Sequence, residues 1–130
     1  MGAGNSFLAS MISSFQQEVP VPMPENEIRT PVDVITLGRA LLELARNDLT
    51  GILHIAGSTR LNRYDMALQI AERLGYPLAL VKPTDSNLMS DRAPRPNDAS
   101  LDNSKAKQVL ATPMLSFSEG LGLSLETSEM

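Results

Sequence analysis

The sequence has no cysteine and no tryptophan, and its 130 residues include only two tyrosines, three phenylalanines and one histidine. The absence of cysteine excludes disulfides, thiolate metal sites and a cysteine nucleophile, and it suits a reducing cytoplasm. A zinc site would have to be built mainly from carboxylates, because only one histidine is present. The scarcity of aromatic residues leaves leucine, isoleucine, valine and methionine to fill the core.

Basic residues are also in short supply, since 11 Lys and Arg stand against 15 Asp and Glu and give a net charge of −4. No basic cluster is present to drive binding to nucleic acid or anionic lipid by counterion release. No apolar run approaches the ~20 residues of a membrane-spanning helix. The first basic residue is Arg29, so the positive region of a signal peptide is missing. We therefore expect a cytoplasmic chain with no nucleic-acid partner and no membrane partner.

Apolar periodicity and capping residues predict five helices. The first helix follows Asn5 or Ser6, and the second begins after Asp33 and ends near Asn47. The third begins near Asn62 and ends at Gly75. The fourth covers residues 102–110, and the fifth begins at the capping box "SFSE". Residues 126–130 form a tail that we expect to be frayed.

Two or three short strands are predicted between these helices. The candidates are "TGILHIAGS", in which His54 is interpreted as a buried structural imidazole, "PLALVK", and an extended piece in "IRTPVDV". Alternation of helices with strands indicates an α/β fold. Two short strands are a poor support for five helices, so we expect the chain to be part of a larger structure or to pair with another copy.

The stretch "DRAPRPNDASLDNSK" holds Arg95 between Pro94 and Pro96. Proline restricts its own φ and keeps the preceding residue extended, so this segment is predicted to be a stiff arm. A guanidinium presented in this way suits phosphate or carboxylate better than an ammonium does. The alternative is a surface turn whose arginine is only solvated.

Catalytic motifs are absent from the sequence. Ser58 follows Gly57 without the G-x-S-x-G elbow, and no glycine-rich phosphate loop occurs. The acidic residues Asp85, Asp91, Asp98 and Asp102 lack the spacing of a calcium loop and are interpreted as solvated or as helix caps. The residues alone therefore offer binding groups but no reaction.

Four segments, "GNSFLASMI", "NEIRTPVDV", "GILHIAGSTRLNRYDMALQIAERLG" and "APRPNDASLDNSK", together span nearly the whole chain. In this order and spacing they resemble the C-terminal substrate-binding part of the extended short-chain dehydrogenases, closest to the dTDP-4-dehydrorhamnose reductase branch. The resemblance implies an α/β fold over residues 1–125, with helices and two or three short strands. This fold is the substrate-binding portion of an NAD(P)-binding Rossmann-type enzyme without its Rossmann core.

The resemblance also implies roles for individual residues. Arg95 is expected to pair with the diphosphate of a dTDP-linked 4-keto sugar, with Asn5 and Ser100 beside the same substrate pocket. Structural support is expected from Thr30, Pro31, Asp33, Pro96 and Lys105. For Lys105 the alternative is a solvated helix lysine.

The departures from the family concern catalysis. Enzymes of this family use a tyrosine with a lysine four residues later, but here Tyr64 is followed at that spacing by Leu68 and Tyr76 by Leu80. The glycine-rich turn of the dinucleotide-binding domain is missing as well. We therefore expect no cofactor to be bound by this chain alone, while NAD(P)H is implied for the parent enzyme.

These observations leave three hypotheses. The first is a substrate-binding fragment of a nucleotide-sugar reductase, not catalytic alone, which needs a cofactor-binding Rossmann domain or a second copy as partner. The second is a non-enzymatic regulatory module similar to the beta subunit of methionine adenosyltransferase, which works by contacting a catalytic partner. In that case the helix around Leu37, Leu41, Leu44 and Ala45 would carry an exposed apolar patch. The third is a truncated remnant without activity.

Overall fold

The computed structural model describes residues 6–88 and 91–128. The chain forms two compact units, each built from two separate stretches of sequence. The first unit contains the residues up to Glu27 together with Asn62–Asp98, and the second contains Ile28–Leu61 together with the residues from Ala99 onward. The sites described below each lie within one unit.

The first unit is built around one short parallel sheet. Its elements are α1 (Phe7–Gln16), β1 (Val21–Pro24), α3 (Arg63–Leu74) and β4 (Val81–Thr84). β1 and β4 run parallel, with Val21 opposite Val81 and Pro24 opposite Thr84. The largest apolar core side chains of this unit come from both helices and both strands: Met11, Phe15, Val21, Met66, Ile70 and Val81.

Capping residues set the ends of the helices in the first unit. The Ser6 hydroxyl accepts the N–H of Ala9 at 3.1 Å and begins α1, and the Asn62 side chain accepts the N–H of Asp65 at 2.7 Å and begins α3. Gly75 follows α3 with a φ of 78°, in the left-handed region that glycine adopts easily. These caps were predicted from the sequence and are confirmed.

Prolines lie on the outer edges of the β1–β4 sheet. The N–H of Glu25 donates to the carbonyl of Thr84 at 2.9 Å. The backbone N–H and C=O groups of the odd-numbered residues of β1 therefore face those of the even-numbered residues of β4. Successive residues of a strand point their backbone groups to opposite sides. Pro22 and Pro24 of β1 and Pro83 of β4 therefore lie at positions whose backbone faces away from the sheet.

The second unit is mainly helical. It contains α2 (Val34–Leu44), α4 (Ser104–Val109) and α5 (Phe117–Ser128). The strand β2 (Ile28–Arg29) also lies here, and β3 (Leu61–Asn62) begins here; β2 and β3 form the second two-stranded sheet. The core of the second unit is a cluster of Ala40, Ala106, Leu110 and Met114, against which Leu44, Leu53 and Ile55 pack.

The predicted caps of the second unit are confirmed. The Asp33 carboxylate accepts the N–H of Thr36 at 2.8 Å and begins α2. At α5, the Ser116 hydroxyl accepts the N–H of Glu119 at 3.2 Å, and the Glu119 carboxylate accepts the N–H of Ser116 at 3.1 Å. This reciprocal pair is a capping box. α5 reaches Ser128, so the first three residues of the predicted tail are helical.

Two predictions for the segment "TGILHIAGS" are wrong. Residues 52–57 form no strand, and His54 is exposed rather than buried. A strand exists only where a neighbouring backbone pairs with it, and in the part of the chain that the structure describes residues 52–56 make no backbone–backbone hydrogen bond. The segment "PLALVK" does become a strand, but only from Val81 onward, after a 3₁₀ turn over Leu78–Leu80.

The helices are short. None of those in residues 6–88 and 91–128 is long and apolar enough to cross a membrane.

Candidate functional site

A polar cleft of about 400 Å³ opens on the second unit. The residues that line it come from the end of β2, from the loop before β3 and from the loop before α4: Thr30, Gly57, Ser58, Arg60, Ser100, Leu101, Asp102 and Asn103. Hydroxyl, amide, carboxylate and guanidinium groups thus meet around one cavity of ligand size.

Thr30 and Gly57 hold the wall of the cleft. The carbonyl of Thr30 accepts the N–H of Gly57 at 3.2 Å, and its hydroxyl accepts the N–H of Leu101 at 3.1 Å. A Cβ atom added at Gly57 would lie 1.9 Å from the carbonyl oxygen of Pro31, so only glycine fits there. Thr30 and Pro31, predicted as structural, thus contact the backbone that shapes the cleft.

Asn103 also lines the cleft, and its side chain is buried. Its side-chain amide donates to the carbonyl of Ala56 at 2.9 Å and to the hydroxyl of Ser58 at 3.2 Å. The Ser58 hydroxyl in turn donates to the carbonyl of Met114 at 2.6 Å. Because the Ser58 proton is held by a backbone carbonyl, this hydroxyl serves the structure and is not set up as a nucleophile.

Arg60 and Ser100, both of which line the cleft, are in contact. The Nε of Arg60 donates to the Ser100 hydroxyl at 3.3 Å, and the Arg60 side chain is exposed. A guanidinium beside a hydroxyl can bind a phosphate or a carboxylate. Ser100, predicted to bind substrate, therefore lines a cavity next to a cation.

Asp102 supplies the carboxylate of the cleft. Hydrogen bonds from the hydroxyl and the backbone N–H of Ser104 lower the pKa of Asp102 below its usual range, and the bond from the hydroxyl has the larger effect. The charges of His54 and Lys107 lower it by smaller amounts. The group is therefore ionised at neutral pH and cannot act as a general acid. Among the lining residues no nucleophile is paired with a base.

Arg95 and Pro96 lie in the first unit, where both are exposed. Within the described residues, Arg95 makes no hydrogen bond and no ion pair. Three residues earlier, Arg92 donates to the fully buried Glu27 carboxylate at 2.8 Å, and the Nε of Arg63 lies 3.5 Å from its other oxygen. The segment that presents Arg95 is thus anchored close to that residue.

The remaining predicted residues have the following places. Asn5 lies outside the described residues. Asp33 caps α2. The Nζ of Lys105 donates to the carbonyl of Ile52 at 3.1 Å, which connects α4 to the segment before the cleft. This contact fits structural support better than a lysine that is only solvated.

Several of these residues were not predicted from the sequence. The sequence did contain a signal for Ser58 and Arg60 as site residues. They belong to a polar triplet, residues 58–60, that stands between a buried glycine and the Asn62 cap. The sequence contained no such signal for Asn103 and Glu27, since a single amide or carboxylate in a polar loop is usually solvated. Burial of these side chains follows only from the packing of segments that are distant in sequence.

In residues 6–88 and 91–128, no three histidine, aspartate or glutamate side chains come together as a metal site. The ring of Tyr76 stacks on Phe15 with centroids 5.4 Å apart, a contact within the core of the first unit.

Comparison with known proteins identifies relatives over the full chain. The family described as the RmlD substrate binding domain matches residues 1–130. A dTDP-4-dehydrorhamnose reductase of Mycolicibacterium smegmatis is 27% identical over 92% of this chain and 37% of its own length. The beta subunit of methionine adenosyltransferase 2 of Pongo abelii is 35% identical over 59% of this chain and 23% of its own length.

Solved structures show the same fold. A dTDP-4-dehydrorhamnose reductase of Bacillus anthracis in complex with NADP superimposes with a TM-score of 0.86 and 20% identity over 95% of this chain and 44% of its own. The corresponding Clostridium acetobutylicum enzyme gives a TM-score of 0.86 and 22% identity over 100% of this chain and 46% of its own. The chain therefore spans less than half of each relative. These matches confirm the predicted resemblance and the predicted α/β fold.

Proposed function

The chain belongs to the RmlD substrate-binding domain family, and on this premise we propose that it supplies the substrate-binding part of a nucleotide-sugar reductase. The proposed ligand is a dTDP-linked 4-keto sugar. The observation that carries the proposal is the family match over residues 1–130, combined with a chain that has binding groups but no tyrosine–lysine pair. The reduction itself, with NAD(P)H as hydride donor, is assigned to the rest of a longer protein or to a partner.

The described residues do not fit a dinucleotide. Pyrophosphate binding in Rossmann-type domains requires a glycine-rich turn that leads from a strand into a helix N-terminus. Here β1 is followed by Glu25 and Asn26, and β4 by Asp85 and a 3₁₀ turn over Ser86–Leu88, so neither strand end carries a glycine. We therefore assign no cofactor contact to this chain.

Arg95 is proposed to bind the diphosphate. Its side chain is exposed and lies between Pro94 and Pro96, and Glu27 anchors the neighbouring Arg92. A guanidinium on a restrained backbone loses less conformational entropy when it binds an anion. Ser100 and Asn5 are proposed as further substrate-binding residues, with Pro96 stiffening the arm that carries Arg95.

Calorimetric titration of the purified chain with dTDP and with dTDP-glucose tests this assignment. We expect weak binding by the wild type and a loss of about tenfold or more in affinity for Arg95→Ala, because a charge-assisted hydrogen bond contributes roughly 1.5–3 kcal/mol. Arg46→Ala is the matched control, since Arg46 is also exposed and has no ion pair in the described residues. Equal affinity of Arg95→Ala and wild type would remove Arg95 from the site.

A second candidate function rests on an apolar surface and on the adenosyltransferase match. On α2, Val34, Leu41 and Leu42 are 75%, 54% and 61% exposed, and Leu41 and Ala45 share a face at helical spacing. We propose as the alternative that this face binds a catalytic partner and that the chain is a regulatory subunit. A complex with methionine adenosyltransferase in size-exclusion chromatography supports the alternative, and separate elution of the two proteins contradicts it.

A further inference from the structure

We propose that four residues, Phe7, Arg63, Glu27 and Arg92, form a network of contacts that holds Arg95 in position to bind an anion. This inference rests on the proposed function, because it explains how the guanidinium assigned to the diphosphate is presented. All five residues belong to the first unit. The four are positioning residues, since they act through Arg95 and not on the ligand.

Glu27 is the centre of the network, and its side chain is fully buried. A buried carboxylate is costly unless cationic partners and hydrogen bonds compensate for the lost water. The Nη2 of Arg92 donates to its Oε1 at 2.8 Å, and the Nε of Arg63 lies 3.5 Å from its Oε2. Because the two guanidiniums use different oxygens, both contacts are made at the same time.

Arg63 fixes Glu27 to the start of α3. It is the first residue of that helix, and it contacts Glu27 through its backbone as well as its side chain, since its N–H donates to the Glu27 carbonyl at 3.2 Å. In the next turn of α3, Met66 and Ala67 are buried in the core of the unit. The carboxylate that holds Arg92 is therefore attached to a rigid element, which is what precise placement of a binding group requires.

Phe7 extends the network to the start of α1. The guanidinium carbon of Arg63 lies 5.2 Å from the centroid of the Phe7 ring, within the range of a cation–π interaction. Phe7 is the first residue of α1, and Asn5, a proposed substrate-binding residue, precedes it by two positions in the sequence. Arg63 thus contacts both a ring at the start of one helix and the carboxylate that holds the arm.

The last connection runs along the backbone from Arg92 to Arg95. Arg95 is exposed and makes no hydrogen bond or ion pair within the described residues, so its own side chain does not fix it. The backbone does so, because Pro94 and Pro96 restrict φ and keep the residue before each of them extended. Three residues span about 10 Å at most, so anchoring of Arg92 limits where the Arg95 guanidinium can lie.

Relaxation of the backbone ¹⁵N nuclei in the purified chain tests the network without a ligand. The reporter is the amide of Arg95. We expect its order parameter to be about 0.85 in the wild type, as in a rigid backbone, and below about 0.6 in Arg92→Gln. Arg92→Lys keeps a cation beside Glu27 and should restore most of the order. Arg73→Gln is the matched control, because it removes the same charge from the exposed last turn of α3 and should leave the Arg95 amide rigid.

Substitutions of Phe7 test the far end of the network. Phe7→Leu removes the aromatic ring that Arg63 contacts, whereas Phe7→Tyr keeps it. We expect the order parameter of the Arg95 amide to fall in Phe7→Leu and to stay at the wild-type value in Phe7→Tyr. An unchanged order parameter in Phe7→Leu would overturn the network, and so would an unchanged one in Arg92→Gln. Because Phe7 is 37% exposed, its variants decide the question even if Arg92→Gln does not fold.

Calorimetric titration with dTDP tests whether the network serves binding. Ordering of one flexible side chain costs a factor of about two to ten in affinity, so we expect a loss of this size in Arg92→Gln. The same substitution in the Arg95→Ala background should cause no further loss, because the group that the network positions is gone. Equal losses in both backgrounds would show that Arg92 acts on the ligand itself, which overturns the positioning role.

The two measurements separate this inference from the function on which it rests. The order parameters require no ligand. Order that is lost in Arg92→Gln, while the wild type binds no dTDP, would therefore count against the proposed ligand alone. Binding of dTDP by the wild type that Arg92→Gln leaves unchanged would count against the network alone.

Discussion

At the residue scale, the wall of the cleft depends on how closely two backbones approach at Gly57. Replacement of Gly57 by alanine would bring a methyl group to 1.9 Å from the carbonyl oxygen of Pro31, so the backbone must shift. We expect Gly57→Ala to lower the free energy of unfolding by about 3 kcal/mol, at the upper end of overpacking costs. Urea unfolding of the purified variant measures this change.

Gly38→Ala provides the matched control. No atom lies within 4 Å of a Cβ added at Gly38, which stands inside α2. Alanine is favoured over glycine in a helix by about 0.5–1 kcal/mol, so this variant should be more stable than the wild type. Similar effects of the two substitutions would show that the contact with Pro31 does not limit residue 57.

At the scale of elements, Glu43 connects the last turn of α2 to the segment after α4. Its carboxylate accepts the N–H of Ala111 at 2.7 Å, and the N–H and hydroxyl of Thr112 at 2.8 and 2.7 Å. These bonds lower the pKa of Glu43, and the bond from the Thr112 hydroxyl has the largest effect. The charged form is therefore favoured in the folded chain.

The pH dependence of stability follows from this direction. A carboxyl group whose pKa is lower in the folded state stabilises the fold at pH values above its unfolded pKa, which is about 4.3 for glutamate. The stabilisation is lost as the pH falls through the folded pKa. We expect the difference in free energy of unfolding between wild type and Glu43→Gln to be largest near pH 7 and to shrink below about pH 4.3.

The control for this comparison is Glu72→Gln, because Glu72 is exposed and its side chain has no hydrogen bond in the described part of the chain. It should be close to wild type in stability at both ends of the pH range. A constant difference between wild type and Glu43→Gln from pH 7 to pH 3 would contradict the role assigned to this carboxylate.

Helix ends were predictable from the sequence, and strands were only partly so. Asp33, Asn62 and the capping box of α5 act within four residues of their targets, so local sequence determines them. The segment of residues 52–56 has the apolar composition of a strand, but a strand also requires a partner, and local sequence does not supply one. The wrong prediction for His54 has the same cause, since its burial was inferred from that strand.

At the scale of the whole molecule, the net charge of −4 argues against binding to polyanions. Nonspecific binding to DNA requires several clustered lysines and arginines that release counterions. We expect the chain to pass through a heparin column at about 0.1 M salt without retention. Retention that disappears only at higher salt would reveal a basic surface that the sequence does not indicate.

The candidate site was predictable only in part. The sequence indicated Ser100 and Thr30 through the resemblance, and both line the cleft. It gave no indication that Arg60 would meet Ser100 or that Asn103 would be buried behind Ser58, because these contacts join segments 40 and 45 residues apart. Such contacts depend on how the loops pack, which residue types and spacing do not determine.

The prolines of the β1–β4 sheet have a consequence for how the chain behaves at high concentration. Pro22, Pro24 and Pro83 occupy outward-facing backbone positions, so both outer edges lack N–H donors there. A growing fibril adds strands through continuous ladders of such donors. This sheet therefore resists conversion into an amyloid seed.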